Sequence, residues 1–274
     1  MPELPEVETV ARSLRPRLVG CTVERVETSG FALRHPVDKA AIARATRGAT
    51  FESVERLGKY LVLSLDGEHQ LLVHLGMSGQ LLFFPSTRAP LAHTHVVLHL
   101  AGGDELRYVD PRRFGVFRPY RKSELAASPE LDALGVDPLG ASFTAQFLVA
   151  ELATSRRDVK QFLLEQHRIA GLGNIYVCEA LYHSGISPRR IAEGVGSRRA
   201  VRLHQAIREV LLAAVEHRGT SLSDYVDADG VIGGNQHHLA VYGREGAPCH
   251  ACRTPIRRIV QGARSTFYCP RCQR

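Results

Sequence analysis

Four cysteines near the C-terminus have the residue types and the spacing of a metal site. Cys249 and Cys252 form one Cys-x-x-Cys pair, and Cys269 and Cys272 form a second pair after sixteen intervening residues. Thiolates at this spacing hold Zn²⁺ tetrahedrally, and four sulfur ligands close the site. Two redox pairs or a disulfide framework would use the same residues, but disulfides are typical of small secreted domains. The spacing therefore predicts one structural zinc ion.

The N-terminus offers a nucleophile. Removal of the initiator methionine, which is usual before a small residue, leaves Pro2 with a free secondary amine that Glu3 follows at once. An α-amino group has a pKa near 7.7–8, against about 10.4 for lysine, although proline's secondary amine is somewhat more basic. Such an amine condenses with an aldehyde to give an iminium ion, and Glu3 can move protons beside it. The alternative is that both residues only precede a helix.

Two glycine-containing loops carry side chains suited to nucleic acid. Residues 74–79 form a tight loop that presents Met77, and residues 110–115 place Arg112 and Phe114 on the same side of an extended segment. A guanidinium beside an aromatic ring suits base stacking and phosphate contact, and an apolar wedge fills a gap in a duplex. Spare core packing for Met77 and an ordinary strand end for the other two are the alternatives.

A third glycine-containing segment, residues 171–174, separates two helical patterns. Gly171 can end the first helix, and Asn174 can cap the second. A helix start with free N–H groups is a ready anion site, so a phosphate can dock there. Plain capping is the alternative.

The charge of the chain favours a polyanionic partner. Lys and Arg total 35 against 28 acidic residues, a formal charge of +7, and only four of the 35 are Lys. Arg is the side chain best suited to bidentate phosphate contacts. The last 33 residues, from Tyr242, contain seven Arg and one Glu. A scattered excess is typical of a solvated surface, whereas this cluster favours nucleic acid.

The composition excludes several classes of protein. The chain has 274 residues, 44% apolar and 23% charged, which rules out disordered, collagen-like and coiled-coil proteins. No apolar run approaches the roughly 18 residues of a membrane span. Residues 1–8 lack the basic start and apolar core of a signal peptide. No Rossmann or P-loop glycine pattern is present, so nucleotide-driven chemistry is not indicated.

The elements that must position these residues change in type along the chain. Apolar residues at 5–18 lie on one helical stripe, with an irregular last turn expected at Pro16. Short strands follow, and Asp66-Gly67 and Gly102-Gly103 predict hairpin turns within a sandwich or barrel. Beyond residue 121 the pattern is helical. The predicted helices are about 144–154, 157–170, 174–184 and 197–218. A long loop at 219–238 follows, and long loops inside compact domains are usually functional or mobile.

In combination and in order along the chain, these motifs resemble those of the bacterial formamidopyrimidine-DNA glycosylase family. The resemblance runs from residue 2 to residue 273. It is carried by Pro2-Glu3-Leu4-Pro5-Glu6-Val7-Glu8, Gly58-Lys59-Tyr60, His74 to Gly79, Asp110 to Gly115, Asp158-Val159-Lys160, Gly171 to Tyr176, Val241-Tyr242-Gly243-Arg244 and the cysteine ribbon.

The resemblance implies an α+β fold of two domains. The first combines an N-terminal helix with a β-sandwich, and the second is a helix–two-turn–helix domain that ends in a four-cysteine zinc β-hairpin. The predicted boundaries are 1–120 for the catalytic sandwich, 121–143 for a linker, 144–240 for the helical domain with a lesion-recognition loop at 219–238, and 241–274 for the zinc hairpin.

The resemblance also implies the chemistry. Pro2 would attack C1′ of a damaged nucleotide swung out of the helix, Glu3 would act as general acid and base, and Lys59 would bind a phosphate and donate the proton for β-elimination. Arg264 would donate the proton for δ-elimination. Met77, Arg112 and Phe114 would fill the gap, with Arg112 facing the orphaned cytosine. The implied DNA contacts are His74, Met77, Arg112, Phe114, Lys160, Asn174, Tyr242, Arg258 and Arg264.

The expected substrates are double-stranded DNA with 8-oxoguanine opposite cytosine, ring-opened purines or abasic sites. We expect a monomer in the bacterial cytoplasm, associated with the nucleoid. Two alternatives remain open. One is an enzyme of the endonuclease VIII family for oxidised pyrimidines, although Leu4 departs from the Pro-Glu-Gly-Pro start typical of that family. The other is a non-catalytic zinc-ribbon nucleic-acid-binding protein. A nucleophilic Lys59 or Lys160 is a further possibility.

Overall fold

A computed structural model describes residues 1–85, 87 and 89–274. The chain forms two compact units, Met1–Asp132 with His217–Gln236 and Ala133–Glu216 with His237–Arg274. The loop predicted at 219–238 is therefore grouped mostly with the N-terminal unit. The domain boundaries proposed from the sequence remain predictions.

The first unit begins with the predicted helix, α1 (Leu4–Leu18). Its apolar stripe, which includes Val7 and Leu14, is buried. Pro5 occupies the first turn, where a missing N–H costs nothing. Pro16 lies inside the helix, which continues to Leu18 because the Val19 N–H still bonds to the Arg15 carbonyl. The expected irregular last turn is therefore not observed.

Two four-stranded antiparallel sheets follow, as the sandwich prediction requires. The elements are β1 (Val23–Thr28), α2 (Lys39–Thr46), β2 (Phe51–Leu57), β3 (Tyr60–Leu65), β4 (His69–His74), β5 (Gln80–Pro85), β6 (Thr94–Leu100), β7 (Asp104–Val109) and β8 (Val116–Arg121). The strand orders of the two sheets are β1-β6-β7-β5 and β2-β3-β4-β8. One apolar core contains Leu14 of α1, Leu63 of one sheet and Leu98 of the other.

The hairpins in these sheets present the candidate residues. Strands β3 and β4 pair antiparallel around Asp66-Gly67, and β6 and β7 pair around Gly102-Gly103, so both predicted hairpins are confirmed. A third hairpin joins β2 to β3 through Gly58 and Lys59, and Gly58 has a positive φ of 58°. Glycine adopts this conformation without a steric penalty, which makes a two-residue turn possible.

The second unit is helical and ends in a β-hairpin. Its elements are α3 (Ala145–Leu152), α4 (Val159–Leu163), α5 (Asn174–His183), α6 (Gly196–Glu216), β9 (Arg257–Gln261) and β10 (Arg264–Tyr268). None of the helices in the described part of the chain has the length and apolarity of a membrane span.

One predicted helix is wrong. Residues 157–170 contain only the five-residue helix α4. The side chain of Gln166 donates to the carbonyls of Leu164 and Leu172 and accepts the N–H of Gly171. These bonds satisfy the backbone of a compact turn, so helical apolar spacing there does not produce a helix.

Candidate functional site

The N-terminal segment is held by a reciprocal capping box. Pro2 is buried, and Glu3, which is 3% exposed, is the N-cap of α1. The Glu3 carboxylate accepts the Glu6 N–H, and Glu6 Oε2 accepts the Glu3 N–H at 2.8 Å. Each carboxylate thus satisfies a backbone donor that a helix start leaves unpaired. The candidate nucleophile is therefore anchored to the first turn of α1.

The carboxylate of Glu6 also binds the loop that follows α6. Its second oxygen, Oε1, accepts the N–H of Thr220 at 2.7 Å. The hydroxyl of Tyr225 donates to the Glu6 carbonyl at 3.3 Å, and burial and the Glu6 charge raise the pKa of Tyr225 above its usual value. Glu6 is 2% exposed. One buried carboxylate thus joins the N-terminal segment to the 219–236 loop.

The same loop combines a fixed base with an exposed tip. Asp227, 1% exposed, accepts the N–H groups of Asp229 and Val231 and pairs with Arg218. At the tip of the loop, the side chains of Val231 and Ile232 are 46% and 65% exposed. Apolar side chains that the fold leaves in solvent at a loop tip are available to a ligand.

Lys59 and His74 lie on neighbouring hairpin ends. Both are less than 10% exposed. Burial and the nearby Arg34 and Lys59 charges lower the pKa of His74 from 6.5 to about 4. His74 Nδ1 accepts the Gly76 N–H at 3.0 Å, which places the proton of the neutral ring on Nε2. His74 can therefore donate to a phosphate without carrying a charge.

A buried carboxylate joins residues 74–79 and 110–115, the two loops that carry the predicted wedge residues and are called the wedge loops below. Asp110, which is 0% exposed, accepts the Ser78 hydroxyl at 2.8 Å and the Gly115 N–H at 2.9 Å. The Arg112 N–H lies 3.3 Å from Asp110 Oδ1 and 3.2 Å from Ser78 Oγ. Residues 77–79 and 111–115 are thus tied to one group, which fixes their relative position.

Backbone packing reinforces this link. A Cβ on Gly76 would lie 2.6 Å from the backbone carbon of Phe114, and a Cβ on Gly115 would lie 1.6 Å from the Tyr108 hydroxyl. That hydroxyl donates to the His74 carbonyl at 3.0 Å, and burial raises the pKa of Tyr108. Only glycine permits the loops to approach this closely.

The predicted wedge side chains emerge from this support. Met77 and Phe114 are 40% and 44% exposed. The guanidinium carbon of Arg112 lies 5.0 Å from the Phe114 ring centroid, a cation–π distance. The structure thus brings together the loops of all three predicted gap-filling residues.

The second unit links the start of α5 to the β-hairpin. The N-cap of α5 is Gly173, not Asn174, so the predicted capping role of Asn174 is wrong. Asn174 Nδ2 instead donates to the Ser265 carbonyl at 2.8 Å. Gly171, with φ of 93°, ends no helix because α4 stops at Leu163. The amide of Asn174 positions β10 beside the helix start.

The Tyr242 segment is positioned by another buried carboxylate. Glu179, 2% exposed, accepts the N–H groups of Ala240, Val241 and Tyr242 at 2.7–2.9 Å. The Tyr242 ring packs edge-on against Phe267, with centroids 5.0 Å apart. Tyr242 is thereby tied to both α5 and the hairpin.

The remaining predicted DNA contacts differ in accessibility. Arg264 is exposed at the start of β10, next to the positive φ of Ala263. Arg258 is exposed on β9, bonded to Ser265 and paired with Glu245 at 3.6 Å. Lys160 has no exposed surface, so a phosphate reaches its ammonium only if the groups that cover it move.

The four cysteines fit a tetrahedral zinc ion. Their ligand atoms all lie within 4.8 Å of one another. The Cys249–Cys272 and Cys252–Cys269 sulfur distances are 3.9 and 3.5 Å, and Zn–S bonds of about 2.3 Å place ligands about 3.8 Å apart. Hydrogen bonds from Thr254 lower the pKa of Cys252 to about 6, whereas burial raises the pKa of Cys269 and that of Cys272, so the four thiols do not share one tendency to ionise without a metal.

Comparison with known families accounts for both units. Residues 1–117 match the formamidopyrimidine-DNA glycosylase N-terminal domain, 134–226 match the H2TH domain of the same enzymes, and 246–274 match the zinc finger found in FPG and IleRS. The chain belongs to the formamidopyrimidine-DNA glycosylase family. The predicted α+β fold and the predicted structural zinc ion are confirmed.

Relatives of this family match along the whole chain. Formamidopyrimidine-DNA glycosylases of Rhizorhabdus wittichii and Cereibacter sphaeroides are 47% and 44% identical, with complete coverage of both chains. The MutM (FPG) crystal structure from Thermus thermophilus has a TM-score of 0.88 at 40% identity, covering 99% of this chain and 98% of that one. Lactococcus lactis Fpg bound to abasic-site DNA has a TM-score of 0.91 at 31% identity, covering 99% of each chain.

Three residues that position this site, Glu6, Asp110 and Glu179, had no such role predicted from the sequence. Each is a buried carboxylate that accepts backbone N–H groups of a functional loop. For Glu179 the sequence signal is an acid placed among apolar residues, within Asn174 to Leu181. That signal does not identify the partner, and the partner of Glu6 is 214 positions away.

The buried neutral state of His74 predicts a pH-dependent stability. The folded-state pKa, about 4, is below the 6.5 of the free side chain, so the unfolded chain takes up the proton first. The contribution of neutral His74 to the free energy of unfolding, up to about 3 kcal/mol, is complete above pH 6.5 and is lost as the pH falls towards 4. Urea unfolding from pH 7.5 to 4 should show a steeper decline for the wild type than for His74→Gln. Parallel pH profiles would contradict this assignment.

Zinc removal is expected to affect the hairpin selectively. Cys252→Ser should reduce bound zinc below one ion per chain and weaken DNA binding at least tenfold, because hairpin folding depends on the metal. Metal analysis and fluorescence anisotropy measure the two effects. Cys21→Ser, at a half-buried cysteine of the first unit, is the control and should retain both. If zinc-free protein kept its affinity for DNA, the folded hairpin would not be needed for DNA binding.

Proposed function

We propose that this protein is a base-excision repair enzyme that removes oxidised purines from DNA and then cleaves the strand at the abasic site, with Pro2 as its nucleophile. Its family membership supports glycosylase action on double-stranded DNA. The observation that carries the residue assignment is the Glu6 carboxylate. It accepts the N–H of Glu3, next to Pro2, and the N–H of Thr220 in the 219–236 loop, so it holds these two segments together. The damaged purine would lie against this loop, beside the amine.

The chemistry begins with an amine freed from Met1. Met1 is 50% exposed and therefore accessible to removal. The nitrogen of Pro2 attacks C1′, the N-glycosidic bond breaks, and the base departs with a proton. Ring opening of the sugar, with Glu3 moving the proton, converts the adduct to an iminium ion. The positive nitrogen withdraws electrons from C2′ and makes its hydrogen acidic.

Two eliminations then cut the strand. Glu3, as the general base, takes the C2′ proton, and the freed electron pair expels the 3′ phosphate. Loss of the C4′ proton to a base then expels the 5′ phosphate in a second elimination, which leaves a one-nucleotide gap with phosphate ends. We assign to Lys59 the proton donor for the first step and to Arg264 that for the second. The burial of Lys59 beside His74 supports a role close to the reacting sugar, because both side chains can donate to phosphate oxygens there.

DNA binding offsets the cost of extruding the base. Unstacking costs a few kcal/mol, and the wedge of Met77, Arg112 and Phe114 restores stacking at the position that the extruded base vacates. Asn174, Tyr242, Arg258 and Arg264 would contact phosphates that flank the lesion, with His74 and Lys160 as further contacts. Solved complexes of Lactococcus lactis Fpg contain an abasic site or N7-benzyl-Fapy-dG in DNA, which supports the same partner here. We further propose that the enzyme acts as a monomer on the bacterial nucleoid, in the cytoplasm.

Borohydride trapping tests the nucleophile. Protein shown by mass spectrometry to lack Met1 should form a covalent adduct with a duplex containing 8-oxoguanine opposite cytosine, and peptide mapping should place the adduct on Pro2. Acetylation of the N-terminal amine should abolish the adduct, whereas Lys59→Ala should still form it on abasic DNA. An adduct that survives acetylation would transfer the role to a lysine. No adduct with any lesion would leave a zinc-dependent DNA-binding protein.

Rates of excision of two different lesions test the substrate preference. Excision of 8-oxoguanine opposite cytosine should exceed excision of thymine glycol, because the intact Arg112 and Phe114 pair matches the purine-specific family. Single-turnover rates on the two duplexes compare them directly. A faster rate on thymine glycol would assign the protein to the pyrimidine-specific branch.

A further inference from the structure

An open groove of about 560 Å³ in the second unit is lined by three arginines. Two segments supply its lining: residues 187–194, which follow α5, and Gln273 with Arg274 at the end of the chain. Arg189 and Arg190 belong to the first segment, and we call the surface the arginine groove. None of the predicted DNA contacts is among its lining residues, so the proposed lesion chemistry does not use it.

Hydrogen bonds between the two segments fix the arginine groove. The Arg274 N–H donates to the Gly185 carbonyl at 3.1 Å, and the Ser187 N–H donates to the Arg274 carbonyl at 3.4 Å. The side chain of Gln273 donates to the Ile186 carbonyl at 3.0 Å. The groove is therefore formed before a ligand arrives, and a ligand would not bear the cost of ordering it.

The fold does not neutralise the three guanidinium groups of the groove. Among the described residues, none of the three forms an ion pair with an Asp or Glu side chain. By contrast, Arg157 and Arg168 of the same unit both pair with Glu165 at 2.8 Å. Arg190 donates from Nη1 to the Gly194 carbonyl at 3.3 Å, while its buried Nε has no hydrogen-bond partner. Uncompensated guanidinium groups on one concave surface attract an anionic ligand.

Two acidic groups lie close to the groove in the chain. Glu193 belongs to the segment that follows α5, and its carboxylate is 3.9 Å from the Nε of Arg156. The carboxylate of Arg274, the last residue, is the second. Three guanidinium groups therefore outnumber two carboxylates, one of which has its own arginine partner. The arginine groove keeps a positive charge.

The groove also offers an apolar contact. Ile191 is one of its lining residues and is 40% exposed, although an antiparallel bridge to Asp158 fixes its backbone. An aliphatic side chain beside cations suits a ligand that presents carboxylates and an apolar side chain together. An acidic peptide does so, whereas the phosphate edge of a duplex carries no aliphatic side chain. The combination favours a peptide over a nucleic acid.

We propose that the arginine groove docks an acidic peptide segment of a partner protein. Carboxylates of the peptide pair with Arg189, Arg190 and Arg274, and an apolar side chain next to them packs on Ile191. Guanidinium–carboxylate pairs can be bidentate, which fixes the orientation of the peptide as well as its affinity. Because this docking uses none of the side chains proposed to contact DNA, we expect the peptide and DNA to bind independently.

Fluorescence anisotropy with a labelled peptide tests the docking. The probe is a ten-residue peptide in which two adjacent leucines have four aspartates on each side. It should bind the full-length, zinc-loaded protein, and its affinity should fall between 50 and 300 mM salt because exposed ion pairs are screened. Asparagines in place of the aspartates should weaken binding about tenfold. Serines in place of the leucines should weaken it about fivefold.

Protein variants locate the binding site. Arg189→Ala combined with Arg274→Ala should weaken peptide binding about tenfold. Ile191→Ser should weaken it about threefold, because the apolar contact is lost. Arg202→Ala is the matched control, since it removes an exposed arginine of α6 outside the groove, and it should leave the affinity unchanged. All the replaced side chains are exposed, and thermal unfolding verifies that the variants are folded.

Duplex DNA distinguishes the two kinds of partner. An unlabelled duplex with a tetrahydrofuran abasic analogue should not displace the peptide, and the double arginine variant should bind that duplex as the wild type does. If the duplex displaces the peptide, or if the double variant loses affinity for DNA and peptide equally, the groove is a DNA contact and the proposal is wrong. A wild-type protein that binds no peptide would also overturn it, as would a double variant with wild-type affinity for the peptide.

Discussion

The proposed active site depends on the hydrogen bonds that the buried carboxylate of Glu6 accepts. It accepts one N–H from Glu3 and one from Thr220, residues that are far apart in the sequence. A buried charge without such donors would cost several kcal/mol, so the fold must satisfy both oxygens together. The proposed nucleophile and the loop that would hold the damaged base are therefore positioned by the same group.

Two other buried carboxylates position functional loops in the same way. Asp110 holds the loops of Met77 and Phe114, and Glu179 holds the segment of Tyr242. In each case a carboxylate that is at most 2% exposed accepts backbone N–H groups, which would otherwise need other partners. Met77 and Phe114, which would enter the gap in the DNA, are left exposed on this support, which reduces the ordering cost of binding.

Local patterns in the sequence predicted much of this structure. The cysteine spacing, the stripe of α1 and the two hairpin turns depend on neighbours in the chain, and all are confirmed. The helix expected at 157–170 and the cap expected at Asn174 are wrong, because Gln166 and Ser265 offer the backbone and the amide other partners. No local pattern could predict the role of Glu6, since its partner Thr220 is 214 positions away.

Hydrogen exchange in Glu6→Gln tests the shared positioning most directly. Glutamine keeps the shape but presents one acceptor oxygen and an NH₂ group where two N–H groups converge. The account predicts that peptides 1–8 and 217–236 both exchange about tenfold faster than in the wild type. Glu55→Gln, at an exposed position of β2, should exchange as the wild type does. Protection retained in either segment would contradict the claim that one carboxylate holds both.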